Sequence, residues 1–239
     1  TYTLESIPEY LFSGKAEIAS SLVKISNLTK NIDQTELFQD AEFQINRRDK
    51  IALIGKNGAG KTTLLKMIIG REWEYDGIIE KASGLKIWYL SQDLFWQDTN
   101  NTLRAEMLMV FPEITEKVHK LQEIENDDTN WEEIDTINTY LREYDWYRKY
   151  ELQTEILKYF WFSEEQLEFN VLSLSGGEQT KVQIAKFLIT EVDLLILDEP
   201  TNHLDIEGII FLEYFCKIWK KAIVSISHDV RFINNTSDK

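Results

Sequence analysis

The chain has 239 residues, of which 43% are hydrophobic, and its 41 acidic and 26 basic side chains give a formal net charge of −15. This length and composition can bury one large core, or a core with a smaller subdomain. The negative balance argues against broad nonspecific attraction to nucleic acid, because affinity for phosphate backbones comes largely from Lys and Arg. Every apolar run is far shorter than the roughly 20 residues of a membrane-spanning helix, so we expect no membrane insertion.

The ends of the chain and its cysteine content bear on location. Cys216 is the only cysteine, so no intrachain disulfide can form, and no basic-then-apolar secretion pattern follows Thr1. Both observations predict a cytoplasmic protein. Because the sequence starts without Met and stops abruptly at Lys239, we expect it to be part of a longer polypeptide.

Short apolar runs alternate with helical patterns along much of the chain. The pattern over residues 22–54 predicts antiparallel strands that lead into a buried strand at Ile51–Ile54. Further strand-like runs, separated by helical stretches, lie at Leu85–Leu90, Leu194–Leu197 and Ile223–Ile226. This alternation predicts an α/β fold with a mixed, mostly parallel sheet covered by helices and an antiparallel edge.

A different pattern fills the middle of the chain. Between Asp93 and Leu174 there is one Pro and no Gly, and large apolar residues recur at helical spacing among many acids. Residues 105–170 hold 17 acidic and 6 basic residues, which is typical of a solvated helix surface. We therefore divide the chain into an N-terminal extension over 1–21, a core over 22–93 and 175–239, and a helical subdomain over 94–174.

A glycine-rich segment directly follows the first buried strand. It fits the pattern G-x-x-x-x-G-K-[ST] and precedes an apolar helical run, Leu64–Ile69, so an incidental glycine-rich turn is the weaker explanation. Glycines let backbone N–H groups turn inward around a phosphate, and the helix N-terminus adds positive potential. Lys61 supplies a charge for the β and γ phosphates, and the Thr62 hydroxyl would bind Mg²⁺. The predicted loop comprises Gly55, Lys56, Asn57, Gly58, Ala59, Gly60, Lys61, Thr62 and Thr63.

Two acids end a later apolar run. Asp198 and Glu199 follow Leu194–Leu197 directly. A phosphate-binding loop needs a carboxylate on a neighbouring strand to hold the metal, and we predict that Asp198 is this partner. Glu199 would face the γ phosphate and orient or deprotonate the attacking water as a general base. A solvated strand end would explain the pair alone, but less well when the loop is present.

Two further polar residues follow predicted strands. Gln92 comes after Leu85–Leu90, and its amide could reach the metal or the water. His228 comes after Ile223–Ile226, where its imidazole could donate a hydrogen bond to the γ phosphate. A surface glutamine and a structural histidine in a capped turn are the simpler alternatives for either residue alone.

A further segment, taken with the motifs described above, resembles a known protein family. Residues 174–178 read Leu-Ser-Gly-Gly-Glu, and together with the loop, the acidic pair and His228 in this order they resemble the ATP-binding cassette superfamily. From the residues alone, Ser175 can cap the following helix, and Gly176 and Gly177 leave N–H groups open for an anion. The resemblance implies that these residues contact the γ phosphate of an ATP held by a second cassette, so that paired cassettes close head to tail on two ATP molecules and one alone turns over poorly.

The segment at 199–205, Glu-Pro-Thr-Asn-His-Leu-Asp, is similar to the F subfamily of these proteins. That resemblance implies a chain with two cassettes and no membrane domain, in a group of which many members act on the ribosome as translation or antibiotic-resistance factors. The long Asp93–Leu174 interval fits the helical insertion common in first cassettes. The ATPase subunit of a membrane transporter and a regulatory nucleotide-binding module with little turnover remain as alternatives.

The chain departs from the family pattern at three places. Asn31 and Ile32 stand where an aromatic residue usually stacks on adenine, and Val230 replaces the usual arginine after His228-Asp229. Tryptophan stands where similar proteins tend to have glycine at positions Trp88, Trp146 and Trp161. We hypothesise that the source organism reads these three codons as glycine. Ordinary aromatic substitution in a divergent protein is the alternative.

Overall fold

The computed structural model describes residues 21–32, 35–90, 100–124, 130–190, 192–202 and 204–238. The elements, in chain order, are β1 Ser21–Ile32, β2 Thr35–Asn46, β3 Lys50–Ala52, α1 Lys61–Ile69, β4 Asp76–Lys81, β5 Ile87–Leu90, α2 Leu103–Leu108, α3 Pro112–Ile124, α4 Trp131–Glu143, α5 Trp146–Tyr159, two short 3-10 helices at Glu165–Glu168 and Val171–Ser173, α6 Gly176–Ile189, β6 Leu194–Asp198, α7 Ile206–Ile218, β7 Ala222–Ile226 and α8 Val230–Thr236.

These elements form two compact units. The first, here called the helical unit, contains α2 to α6, and the second, here called the sheet unit, contains β1 to β7, the strands found in the described residues, with α1, α7 and α8. The predicted α/β class, with an antiparallel edge and a helical part inserted in sequence, is confirmed. Across the described residues, no helix combines the length and hydrophobicity that crossing a membrane would require.

The sheet unit holds two sheets. The antiparallel one has the order β2-β1-β4, and the parallel one has the order β3-β7-β6-β5. Both sheets and α1 contribute buried side chains to one apolar core, which includes Leu28, Leu65 and Val224. In the parallel sheet Ile51 is paired with Val224, and Asp198 is paired with Ile226. The carboxyl ends of β3, β6 and β7 therefore lie at one edge, where the predicted site residues follow them.

The prediction that the buried strand extends to Ile54 is wrong. Regular pairing ends at β3, although the Leu53 N–H still donates to the Ser225 carbonyl oxygen over 2.8 Å. Beyond this contact the backbone leaves the sheet to form the glycine-rich loop, so Ile54 is 76% exposed. An apolar run thus continued past the end of its strand.

The helical unit has its own apolar cluster, in which Ile114, Ile137, Leu141 and Trp146 are buried. Helix α6 packs against α2 and α5, and Lys186 on α6 forms a buried ion pair with Glu106 on α2. These contacts place α6 in the helical unit. The end of the helical subdomain, which we expected at Leu174, consequently lies at Thr190 in the structure.

Trp161 has a backbone conformation that favours glycine. Its φ is 68°, in the left-handed region. The Trp161 N–H donates to the Lys158 carbonyl oxygen and the Phe162 N–H to that of Leu157, both over 3.0 Å, which is the Schellman pattern that glycine commonly completes after a helix. Trp88 lies within β5 and Trp146 begins α5, where ordinary residues fit. The codon hypothesis stays a prediction, and Trp161 is the position where backbone geometry supports it.

We expect Trp161→Gly to be more stable than Trp161→Ala by about 1 kcal/mol in free energy of unfolding, because only the alanine keeps a Cβ in the left-handed region. Both variants lose the indole face that lies 4.7 Å from the Lys181 ammonium, so this contact cancels in the comparison. Urea denaturation of the two variants gives the difference. Equal stability of the two would show that residue 161 carries no backbone strain.

Candidate nucleotide-binding site

The glycine-rich loop connects β3 to α1 in the sheet unit. Gly58 and Gly60 have φ angles of 79° and 82°, which L side chains rarely adopt. At Gly60 a Cβ atom would also lie only 2.8 Å from Cζ of Phe38, so this position needs glycine for space as well as for conformation. Residues 55–59 of the loop are exposed to solvent, and within the loop the Ala59 N–H donates to the Lys56 carbonyl oxygen over 3.1 Å.

Lys61, the first residue of α1, folds back over this loop. Its ammonium donates hydrogen bonds to the carbonyl oxygens of Gly55 at 2.8 Å and Lys56 at 3.0 Å. These contacts hold the positive charge beside the loop rather than free in solvent. A phosphate group in the loop would therefore meet both main-chain N–H groups and a fixed cation.

Asp198 ends β6 and is held from two sides. The Thr62 hydroxyl donates to Oδ1 over 3.3 Å, and the Tyr89 hydroxyl donates to Oδ2 over 2.8 Å. Asp198 is only 4% exposed, so these hydrogen bonds satisfy a carboxylate that has little access to solvent. The contact between Thr62 and Asp198 brings together two of the three predicted metal-binding residues, which are far apart in sequence.

Glu199 follows with a left-handed backbone, φ 50°, and its N–H donates to the Ile226 carbonyl oxygen over 2.9 Å. This turn directs the side chain toward the end of β7. There the Glu199 carboxylate accepts a hydrogen bond from the His228 N–H at 3.2 Å, and its other oxygen lies 3.3 Å from His228 Nε2. The His228 side chain is 60% exposed and the Glu199 side chain 11%.

The residues beside the loop fit a Mg²⁺ ion. Thr62 and Asp198 offer hard oxygen atoms at adjacent positions, the donor type that Mg²⁺ prefers. Among the residues that the structure describes, no group of three or more His, Cys, Asp or Glu side chains could hold a metal by itself. The two oxygen atoms of Thr62 and Asp198 suit Mg²⁺, which takes one or two protein oxygens and completes its coordination shell with water and phosphate oxygens.

The sheet unit thus brings together Lys61, Thr62, Asp198, Glu199 and His228, as their positions after parallel strands predicted. Gln92, the remaining residue proposed for catalysis and metal binding, lies outside the described residues. Val230, the departure after His228-Asp229, begins α8 and is exposed. The N–H groups of Arg231 and Phe232 are capped by the Asp229 carboxylate.

The signature segment lies in the helical unit at the start of α6. The Ser175 side chain accepts a hydrogen bond from the Glu178 N–H, and the Glu178 carboxylate accepts one from the Ser175 N–H, which together form a capping box. The predicted cap is therefore confirmed. Gly176 and Gly177 are the first residues of α6, where free N–H groups give the helix its positive end.

Sequence reasoning missed two contacts in these segments. Tyr89 was treated only as part of an apolar run, although a buried phenol usually requires a hydrogen-bond partner, and this was the available signal. The second is Gln166, whose amide donates to the Glu178 carboxylate over 3.2 Å and so supports the capping box. Neither pairing follows from local spacing.

A glycine-rich loop at the edge of a parallel sheet, followed by a helix and faced by strand-end acids, defines a nucleotide-binding domain of the P-loop class. The ABC transporter family matches residues 38–202 of the chain. Because this match covers more than half of the sequence, the chain belongs to the ABC transporter family.

Individual comparisons support the same assignment. The chain is 33% identical over 235 residues to ABC transporter F family member 5 of Arabidopsis thaliana, covering 92% of this chain and 33% of that protein. It is 36% identical over 215 residues to the ATP-binding protein Uup of Buchnera aphidicola subsp. Schizaphis graminum, covering 90% and 31%. The predicted resemblance to F-subfamily cassettes is confirmed, and the chain spans about a third of the length of these curated relatives.

A solved structure of the ATP-binding subunit of an ABC transporter shares the fold, with a TM-score of 0.61. The two sequences are 23% identical, and the match covers 91% of this chain and 83% of the other. At this identity the likeness shows the fold and not the substrate.

Proposed function

We propose that this cassette binds ATP with Mg²⁺ and hydrolyses it to ADP and phosphate. The observation that carries the proposal is the Thr62–Asp198 contact beside the loop, with Glu199 at the next position along the chain. Thr62 and Asp198 would offer an oxygen pair to the metal, and the Glu199 carboxylate would act on the water. A structural turn would need neither.

Each residue has a role in an in-line attack of water on the γ phosphate. The loop N–H groups and Lys61 bind the triphosphate and offset its charge. Glu199 orients the attacking water and accepts its proton, and the exposed His228 imidazole contacts the γ phosphate. Mg²⁺, held by Thr62 and Asp198 with Gln92 as a further ligand, would neutralise charge that develops on the phosphate oxygens.

The adenine base would make an apolar contact rather than an aromatic stack. Ile32 ends β1 and is 45% exposed, so its side chain is available to a base. Without a ring to stack on, this contact contributes less to affinity than the phosphates do. Most of the binding energy in this proposal comes from the loop.

A titration of the purified chain with ATP tests the proposal. We expect ATP with Mg²⁺ to release heat in calorimetry and to raise the melting temperature, because a ligand that binds only the folded state stabilises it. Lys61→Ala should weaken ATP binding by about 10- to 100-fold, since it removes charge-assisted hydrogen bonds worth about 1.5–3 kcal/mol.

Lys66→Ala is the matched control, because Lys66 is an exposed lysine in the last turn of the same helix. It should bind ATP within a few-fold of the parent chain. If ATP produced no heat and no melting shift, and Lys61→Ala matched the parent, the proposal would be wrong.

We further propose that the cassette works with a second cassette of a longer cytoplasmic chain as a ribosome-associated translation or resistance factor. Similarity to F-family proteins supports this reading, and Ser175, Gly176 and Gly177 at the start of α6 would contact the ATP held by the partner cassette. ATP would then favour the closed pair, and hydrolysis would release it.

Acidic residues dominate the sequence of the helical unit, so ribosomal RNA would be contacted through local basic patches or other segments of the longer protein. Co-sedimentation of the full-length protein with purified ribosomes, in ATP and then in ADP, tests the association. We expect more protein in the ribosome pellet with ATP. Equal amounts with the two nucleotides, or none with either, would contradict this role.

A further inference from the structure

Both carboxylate oxygens of Asp198 have a separate donor. Thr62 on α1 donates to Oδ1, and Tyr89 on β5 donates to Oδ2. The Tyr89 bond is the shorter of the two, at 2.8 Å against 3.3 Å. The orientation of the carboxylate is therefore fixed by a residue outside the glycine-rich loop and outside the acidic pair.

The fold holds the Tyr89 ring in place. Strand β5 pairs in parallel with β6, with Tyr89 opposite Ile196 and Leu90 opposite Leu197. The ring packs against the apolar core of the sheet unit, and the Arg71 guanidinium lies 5.7 Å from its centroid on one face. Arg71 lies just after the end of α1, so the segment that follows this helix contacts the Tyr89 ring, while Thr62 near the start of the helix contacts Asp198 directly.

The phenol is a permanent donor. Burial raises the pKa of Tyr89 above its ordinary value, and the hydrogen bond to Asp198 raises this pKa further. The Tyr89 hydroxyl lies 2.8 Å from Oδ2, and because a carboxylate oxygen only accepts, the phenol is the donor in this hydrogen bond. This donor occupies Oδ2, the carboxylate oxygen that Thr62 does not contact.

We infer that Tyr89 is a positioning residue for Mg²⁺: it holds Asp198 Oδ2 so that Oδ1 alone, beside Thr62, is presented to the ion. This inference rests on the proposed function. Mg²⁺ demands near-ideal geometry and usually takes one oxygen from each carboxylate, so a carboxylate free to rotate binds it less well. Partners that orient a metal ligand commonly change metal affinity about 10- to 100-fold when they are removed.

Tyr89→Phe tests the inference, because it removes one hydroxyl and keeps the ring. ADP affinity is measured by calorimetry in EDTA and across a Mg²⁺ titration, on the parent chain and the variant. We expect metal-free ADP affinity to change less than about twofold, and the Mg²⁺ concentration for half-maximal effect to rise about tenfold. Melting of the ADP-bound protein across the same titration gives a second readout that does not depend on turnover.

Tyr75→Phe is the matched control, because Tyr75 packs against the same core and is separate from Asp198. It should leave the Mg²⁺ dependence unchanged. An unchanged Mg²⁺ dependence in Tyr89→Phe would overturn the inference, and so would an equal loss of ADP affinity with and without metal, which would indicate a purely structural role. A parent chain that fails to bind nucleotide would instead refute the proposed function itself.

Discussion

Glu199→Gln is expected to slow ATP hydrolysis by about 10²- to 10⁴-fold, the usual contribution of a general base, while ATP binding stays close to that of the parent. The glutamine amide has the same size and can still accept the hydrogen bond that the His228 N–H donates to Glu199. It cannot accept a proton from water. Phosphate release by the full-length protein, measured beside ATP affinity, separates the two effects.

Glu80→Gln on β4 is the matched control, because Glu80 is an exposed acid of the same unit that lies outside the proposed site. We expect parent-like hydrolysis from it. If Glu199→Gln also hydrolysed ATP at the parent rate, Glu199 would have no role as a base, and the strand-end acids would serve only the metal and the fold.

The second large effect is expected at Gly60. A methyl group there would lie 2.8 Å from Phe38 Cζ and 3.1 Å from Leu37 Cδ1, on a backbone with φ of 82°. Left-handed strain costs about 1–2 kcal/mol, and overpacking costs about 1–3 kcal/mol more. We therefore expect Gly60→Ala to weaken ATP binding by about 30-fold or more, because the strained loop or the opposing Phe38 and Leu37 side chains must shift to relieve the contact.

Gly58→Ala separates the two causes. Gly58 has nearly the same φ, 79°, but a Cβ there would meet no atom within 4 Å. This variant carries the backbone strain without the clash, so its loss of ATP affinity should be about 5- to 30-fold. Adding Phe38→Leu to Gly60→Ala should recover part of the affinity by shortening the opposing side chain. If both glycine variants lost the same ATP affinity, and Phe38→Leu restored none of it, packing of Gly60 against β2 would have no effect on ATP binding.

The parts of the site that could be predicted from sequence are those that depend on local order. Lys61 and Thr62 follow from the glycine-rich loop itself, and Asp198 and Glu199 follow from two acids at the end of an apolar strand. The capping box of Ser175 is likewise contained within four residues. In each case a short segment fixes both the residue types and their geometry.

Features that depend on pairing between distant segments could not be predicted. Tyr89 and Asp198 are separated by 109 positions, and only the parallel pairing of β5 with β6 brings them together. The helical unit ends at Thr190 rather than at Leu174 for a similar reason, since the packing of α6 against α2 and α5 decides where it belongs. The end of β3 was also mispredicted. Ile54 is apolar and was assigned to the strand, but the strand ends before it and its side chain is exposed.

The strand order has a consequence for how the protein is made. Strand β3, which leads into the phosphate loop, has β7 as its neighbour in the parallel sheet, and β7 is synthesised much later. A nascent chain that has reached only Thr190 contains the loop but neither acid of the site, and the helical unit emerges before the sheet can close. Such long-range pairing slows folding, so we expect nucleotide to be captured only after translation has passed Ile226.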